Sequence, residues 1–131
     1  MVFVDTGPLL ARYLTQDARH SGAAVRWSQL KGSTLVTSNH VLDETFTLLG
    51  RRAGYSFAAD RAEQIFTSKA IEIVYSSRED EVEALRFFRK YADQRVSFTD
   101  CVSFALMRRH RVRTAFTFDS HFALVGFETI A

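Results

Sequence analysis

The chain has one cysteine, Cys101, and one proline, Pro8, and only six of its 131 residues are glycine. A lone cysteine rules out an intramolecular disulfide and suits a reducing compartment better than secretion. So few prolines and glycines, with no low-complexity or Ser/Gly-rich stretch and no internal repeat, leave no candidate linker. The expected organisation is a single domain over residues 1–131, with elements following one another closely. Apolar runs are too short to span a bilayer. The amino terminus enters a strand-like run directly instead of a basic segment followed by an apolar one, so a cytoplasmic location without membrane attachment is expected. Neither sign of charge dominates, since 17 Lys and Arg face 15 Asp and Glu. The excess base is mostly arginine, whose planar fork matches phosphate, which permits a nucleic-acid partner without demanding one.

What is present is a core-forming chain, 47% hydrophobic, with two alternating periodicities. Short β-branched or aromatic runs predict strands at Val2 to Val4, Thr34 to Thr37, Ile71 to Val74, Thr114 to Phe118 and Phe127 to Ile130. Helical spacing appears between them. One stripe is Val41, Leu42, Thr45, Phe46, Leu48 and Leu49; a second is Val82, Leu85, Phe88 and Tyr91; a third is Phe98, Cys101, Val102, Ala105 and Leu106. Further helices are expected over Pro8 to Leu14, Ala18 to Leu30, Phe57 to Thr67 and Ser120 to Leu124. Strands alternating with helices imply right-handed crossovers, and the expected fold is α/β, a three-layer α/β/α sandwich on a mainly parallel sheet.

Four acids stand at element junctions. Asp5 follows the first strand, Glu44 lies in the second turn of a helix, Asp100 sits in the first turn of another, and Asp119 ends a late strand. Each has an ordinary explanation: Asp5 and Asp119 as helix caps, Glu44 as a partner of the helix dipole, Asp100 as the last residue of the capping-box pattern Ser97-Phe98-Thr99-Asp100. Their joint placement points elsewhere, because a parallel sheet gathers its strand ends on one edge, where ligands bind. Helical spacing also turns Glu44 toward the apolar stripe and its neighbour Asp43 toward solvent. Carboxylates without clustered Cys or His suit a hard divalent cation, Mg²⁺ or Mn²⁺. Cys101 falls on an apolar stripe and reads as core.

These residues resemble the PIN-domain family, and within it the VapC ribonuclease toxins of prokaryotic toxin–antitoxin pairs. The likeness covers nearly the whole chain. It rests on Val2-Phe3-Val4-Asp5-Thr6, on Thr37-Ser38-Asn39-His40-Val41-Leu42-Asp43-Glu44, on Ser97 to Ala105, and on Thr117-Phe118-Asp119-Ser120-His121-Phe122 followed by Gly126-Phe127. The resemblance implies that Asp5, Glu44, Asp100 and Asp119 are the family's acidic site positions, with Thr6 and Thr117 in support. It implies a metal-dependent endoribonuclease, usually dimeric, whose cognate antitoxin covers the active site. Many relatives carry a further acid two positions after the last aspartate. Here that place is His121, read as an ordinary partly buried residue in preference to a phosphate contact.

The expected reaction is hydrolysis of an RNA phosphodiester with Mg²⁺ or Mn²⁺ lowering the pKa of the attacking water. Asp5, Asp100 and Asp119 are the expected ligands, and Glu44 a ligand or the group that orients the water. Arg51, Arg52, Arg108 and Arg109 are candidates for phosphate contacts, with a solvated helix end as the plainer reading. Two rivals stand beside this reading. An α/β phosphotransfer enzyme would want a second acid at position 7, which is Gly7, or a lysine after a late strand, where none falls. An inactive module that keeps the fold to bind a partner would hide behind intact motifs.

Overall fold

The computed structural model describes residues 1–131. Five parallel strands form one sheet in the order β3-β2-β1-β4-β5, from β1 (Val2–Val4), β2 (Leu35–Ser38), β3 (Ile71–Val74), β4 (Thr114–Phe116) and β5 (Glu128–Ile130). Seven helices connect and cover them: α1 (Thr6–Tyr13), α2 (His20–Gln29), α3 (Asn39–Ala53), α4 (Tyr55–Thr67), α5 (Arg78–Lys90), α6 (Phe98–Arg109) and α7 (His121–Val125). The result is the expected three-layer α/β sandwich. Its topology fixes where a site can form. The chain builds outward from β1 through β2 to β3, then returns to place β4 on the other side of β1, with Phe3 beside Ala115 and Val4 beside Phe116. The order reverses between β1 and β4, and the crevice beyond their carboxyl ends is the switch point at which open α/β sheets bind ligands.

The central strands are short and wholly buried, as parallel strands covered on both faces should be. Helix α6 is buried from Asp100 to Met107, so it acts as a core element instead of an amphipathic cover. Phe104 on α6 packs edge-on against Phe87 of α5 and Phe122 of α7, at centroid distances of 5.6 and 5.0 Å. On another part of the core Trp27 meets Phe116 at 5.1 Å and its indole N–H donates to the Pro8 carbonyl at 3.2 Å, which ties α2 to the first turn of α1.

The second apolar stripe is oriented differently from the expectation. Helix α5 forms where its periodicity places it, opened by a reciprocal capping box between Ser77 and Asp80. Its inward face is Asp80, Ala84 and Phe87, with Tyr91 packed at the core margin. Val82, Leu85 and Phe88 are 44%, 45% and 44% exposed. The helix carries apolar residues on two faces, and periodicity alone does not say which turns inward. On the inward face the Asp80 carboxylate accepts two hydrogen bonds from the Arg109 guanidinium of α6 at 2.7 and 3.0 Å, beside the Phe87–Phe104 contact. Burial would raise the Asp80 pKa, but Arg109 and the Ser77 cap outweigh it and hold the carboxyl below its usual value.

Candidate metal centre

Asp5, Thr6, Glu44, Asp100 and Asp119 line one open cleft of about 600 Å³ at the switch point, together with Gly7, Arg95, Ser97, Phe118, Ser120 and His121. Asp5 occupies the cap position of α1 but makes no side-chain capping bond. Its backbone N–H continues the ladder to the Phe116 carbonyl at 3.0 Å, which aims the side chain across the end of β4. There the Thr117 hydroxyl donates to Asp5 Oδ2 at 2.7 Å and accepts from the Asp119 backbone N–H at 3.0 Å. One buried hydroxyl thus sets the spacing between the ends of β1 and β4. Gly7 serves this junction too, since a Cβ there would lie 2.9 Å from the Phe118 ring. The space it leaves is filled by that side chain.

Asp100 is oriented by the other half of a cap. Ser97 Oγ accepts from the Asp100 backbone N–H at 3.1 Å, while the Asp100 carboxylate makes no return bond to Ser97, unlike the reciprocal box of α5. The carboxylate therefore faces the cleft, 7% exposed. Glu44 is half-buried and borders the same cleft, whereas adjacent Asp43 is exposed. The helix cap that precedes them comes from Ser38, whose Oγ accepts from the Val41 N–H, so Glu44 is not used in capping. Asp119 is partly used: its Oδ1 accepts from the His121 backbone N–H at 2.8 Å, a turn that starts α7.

Four acids so placed repel one another. Burial, above all, and then the charges of Asp119 and Glu44 push Asp5 up to about 6 against the lowering effect of the Thr117 hydroxyl and the Thr6 amide. Asp100 is pushed up to about 9, again first by burial, then by the charge of Asp5, by hydrogen bonding to and the charge of Asp119, and by Glu44. Two buried polar atoms around the cleft, Thr6 Oγ1 and His121 Nδ1, have no hydrogen-bond partner. Asp100, Asp119 and His121 can each offer a ligand atom within 4.8 Å of one another. Crowded carboxylates and orphaned polar atoms at a sheet edge fit a divalent cation, whose charge would offset the repulsion.

The arginines fall out differently from the acids. Arg51 borders a second groove that shares Glu44 with the cleft. Arg52 lies 3.8 Å from Asp17, Arg108 stacks over the Phe87 ring, and Arg109 is committed to Asp80; none of these three lines the cleft. Arg109 has a partner on α5 that a charge run cannot disclose. The arginine that does line the cleft is Arg95, held at φ 55° just before α6. No motif marked it. His121 was marked by its spacing from Asp119, yet its partly buried ring turns Nδ1 toward the acids.

Residues 2–128 match the PIN domain family model, and the chain belongs to that family. Among characterised relatives it is similar to the 23S rRNA-specific endonuclease VapC20 of Mycobacterium tuberculosis, with 38% identity over 97% of this chain and 95% of that protein. The crystal structure of that Mycobacterium tuberculosis VapC20, described as a sarcin–ricin loop cleaving toxin, superposes with a TM-score of 0.90 at 35% identity, covering 97% of this chain and 96% of the other. The VapBC2 structure from Rickettsia felis, bound to a promoter DNA fragment, shares the fold at a TM-score of 0.73 and 13% identity, covering 99% and 98%.

Proposed function

We propose that this chain is a metal-dependent endoribonuclease, the toxin of a toxin–antitoxin pair, acting in the cytoplasm through a catalytic domain that spans residues 1–131. The observation that carries the reading is the convergence of Asp5, Glu44, Asp100 and Asp119 on the β1/β4 switch point, with Asp100 pushed up to about 9. Mg²⁺ or Mn²⁺ bound there would neutralise charge on the scissile phosphate and acidify the attacking water. Asp5, Asp100 and Asp119 would hold the ion, and Glu44 would join them or orient the water.

The chain's own contribution is positioning. Thr117 locks Asp5 to the Asp119 backbone, so these two carboxylates keep their spacing when the ion is absent. Thr6 offers a hydroxyl without a partner. In the metal-free protein Asp100, pushed up to about 9, must lose its proton before it can serve as an anionic ligand, so ion binding should release protons near neutral pH. Arg95 on the cleft and Arg51 on the adjoining groove are suited to RNA phosphates.

The likeness to VapC20 nominates the sarcin–ricin loop of large-subunit ribosomal RNA as the substrate to assay. With Mn²⁺, a synthetic stem-loop of that sequence should be cut at one position while an unrelated single-stranded RNA stays largely intact. No cleavage of any RNA with either ion would refute the enzymatic reading and favour a partner-binding module. A cognate antitoxin protein would cover the acidic cleft. A homodimer is supported by the exposed stripe of Val82, Leu85 and Phe88, since apolar contacts at that spacing suit a helix–helix interface. Light scattering should then give twice the 14.9 kDa chain mass, and Phe88→Glu should reduce it to one chain. A monomer at all concentrations would refute the dimer.

A further inference from the structure

His121 is the one side chain lining the cleft that can offer a nitrogen lone pair to a metal ion, and its position is built by two independent constraints. Its backbone N–H is bonded to Asp119 Oδ1 at 2.8 Å, which fixes the start of α7 against the end of β4. Its neighbour Phe122 is fully buried and packs at 5.0 Å on Phe104 of α6, the helix that carries Asp100. The first constraint sets His121 relative to Asp119 and the second relative to Asp100. As a result Nδ1 lies 2.9 Å from Asp119 Oδ1 and 3.6 Å from Asp100 Oδ2. The side chain is 26% exposed, but the Nδ1 atom itself is shielded from solvent and makes no well-aligned hydrogen bond to either carboxylate. A solvent-shielded ring nitrogen close to two carboxylates but hydrogen-bonded to neither has the surroundings of a ligand.

We infer that His121 is a nitrogen ligand of the metal centre through Nδ1, alongside Asp100 and Asp119, and that it biases the site toward Mn²⁺ over Mg²⁺. The inference rests on the metal-dependent reading above and deepens it. Mg²⁺ takes oxygen ligands and gives up its water reluctantly, whereas imidazole nitrogen suits the transition metals, whose affinities rise from Mn²⁺ along the first row. A neutral imidazole also adds a donor without adding a fifth negative charge to a cleft where four acids already repel. A purely structural histidine, paired with Asp119 as a cation, would impose no such selectivity.

The test is made on the RNA-free protein loaded with Mn²⁺. Electron spin-echo spectroscopy should show modulation from a directly coordinated ¹⁴N, and the modulation should vanish in both His121→Asn and His121→Asp. Titration calorimetry with Mn²⁺ and Mg²⁺ should show the ratio of their affinities falling by roughly tenfold in His121→Asp, which supplies oxygen in place of nitrogen. Retained helical circular dichroism in either variant is enough to read the result. Mn²⁺ bound without nitrogen coupling, or coupling that survives in His121→Asn, would overturn the inference and leave the metal-dependent nuclease intact. Failure to bind either ion would overturn both. Nitrogen-coordinated Mn²⁺ in a protein that cuts no RNA would support the ligand and defeat the ribonuclease reading.

Discussion

Replacing Asp100 with asparagine should stabilise the metal-free protein, and more at pH 8 than at pH 5. In the fold the Asp100 carboxyl is pushed from its ordinary 3.8 up to about 9 by burial and by the acids around it. A group whose folded pKa is raised contributes stability that is fully present below the unfolded pKa and is lost as pH rises toward the folded value. Between pH 5 and pH 8 the unfolded chain has already lost this proton while the folded one keeps it. The slope is about 1.4 kcal/mol per pH unit for one proton, so the loss has a ceiling of roughly 4 kcal/mol over that interval. Solvent in the open cleft and the interaction of Asp100 with the neighbouring acids reduce the expected value to about 2 kcal/mol. Asparagine does not titrate, so its advantage should appear as a melting temperature roughly 8 °C above the parent at pH 8 for a chain of this length, shrinking toward pH 5. Scanning calorimetry of both proteins in chelator, across that pH range, gives the answer. An asparagine variant that melts at or below the parent at pH 8, or a difference that does not depend on pH, would refute the electrostatic account of the cleft.

Glu44→Gln should lower RNA cleavage by about 10² to 10⁴-fold without unfolding the chain, whereas Asp43→Asn on the exposed face should leave the rate unchanged. Initial rates on one RNA, with circular dichroism of each variant, distinguish them, and the reverse pattern would contradict the orientation of α3. Thr117→Val removes the hydroxyl that joins Asp5 to Asp119, at a cost of about 1–3 kcal/mol. Because that hydroxyl holds the Asp5 pKa down, the acid limb of the pH–rate profile should also move to higher pH, and an unmoved limb would show that Asp5 is not part of the titrating machinery.

Much of the architecture was legible because parallel strands buried on both sides leave short β-branched runs. Val2 to Val4 and Ile71 to Val74 were readable to the residue. The Thr114 to Phe118 run was read two residues too long, since β4 ends at Phe116, before the turn at Thr117 and Asp119. The nearness of Asp5 and Asp119 followed from topology alone, as strand ends flanking a switch point. Side-chain pairing was not legible in the same way. Nothing local to Asp80 or Arg109 announces a bond across 29 positions, and that bond lies on the face of α5 opposite to the exposed Val82, Leu85 and Phe88. Arg95 carries no sequence signal, because its place on the cleft goes with a left-handed backbone at that residue, ahead of α6, and an arginine has no signature of that conformation.

The central claim is that the acids at the β1/β4 switch point cut RNA by means of a bound divalent cation. The direct measurement is the cleavage rate of one RNA by the purified protein, first with Mn²⁺ or Mg²⁺, then in excess chelator, then after the ion is restored. Cleavage that stops in chelator, returns with the ion, and is absent from Asp100→Asn under all three conditions is the predicted result. Undiminished cleavage in chelator, or an Asp100→Asn protein as active as the parent, would contradict it.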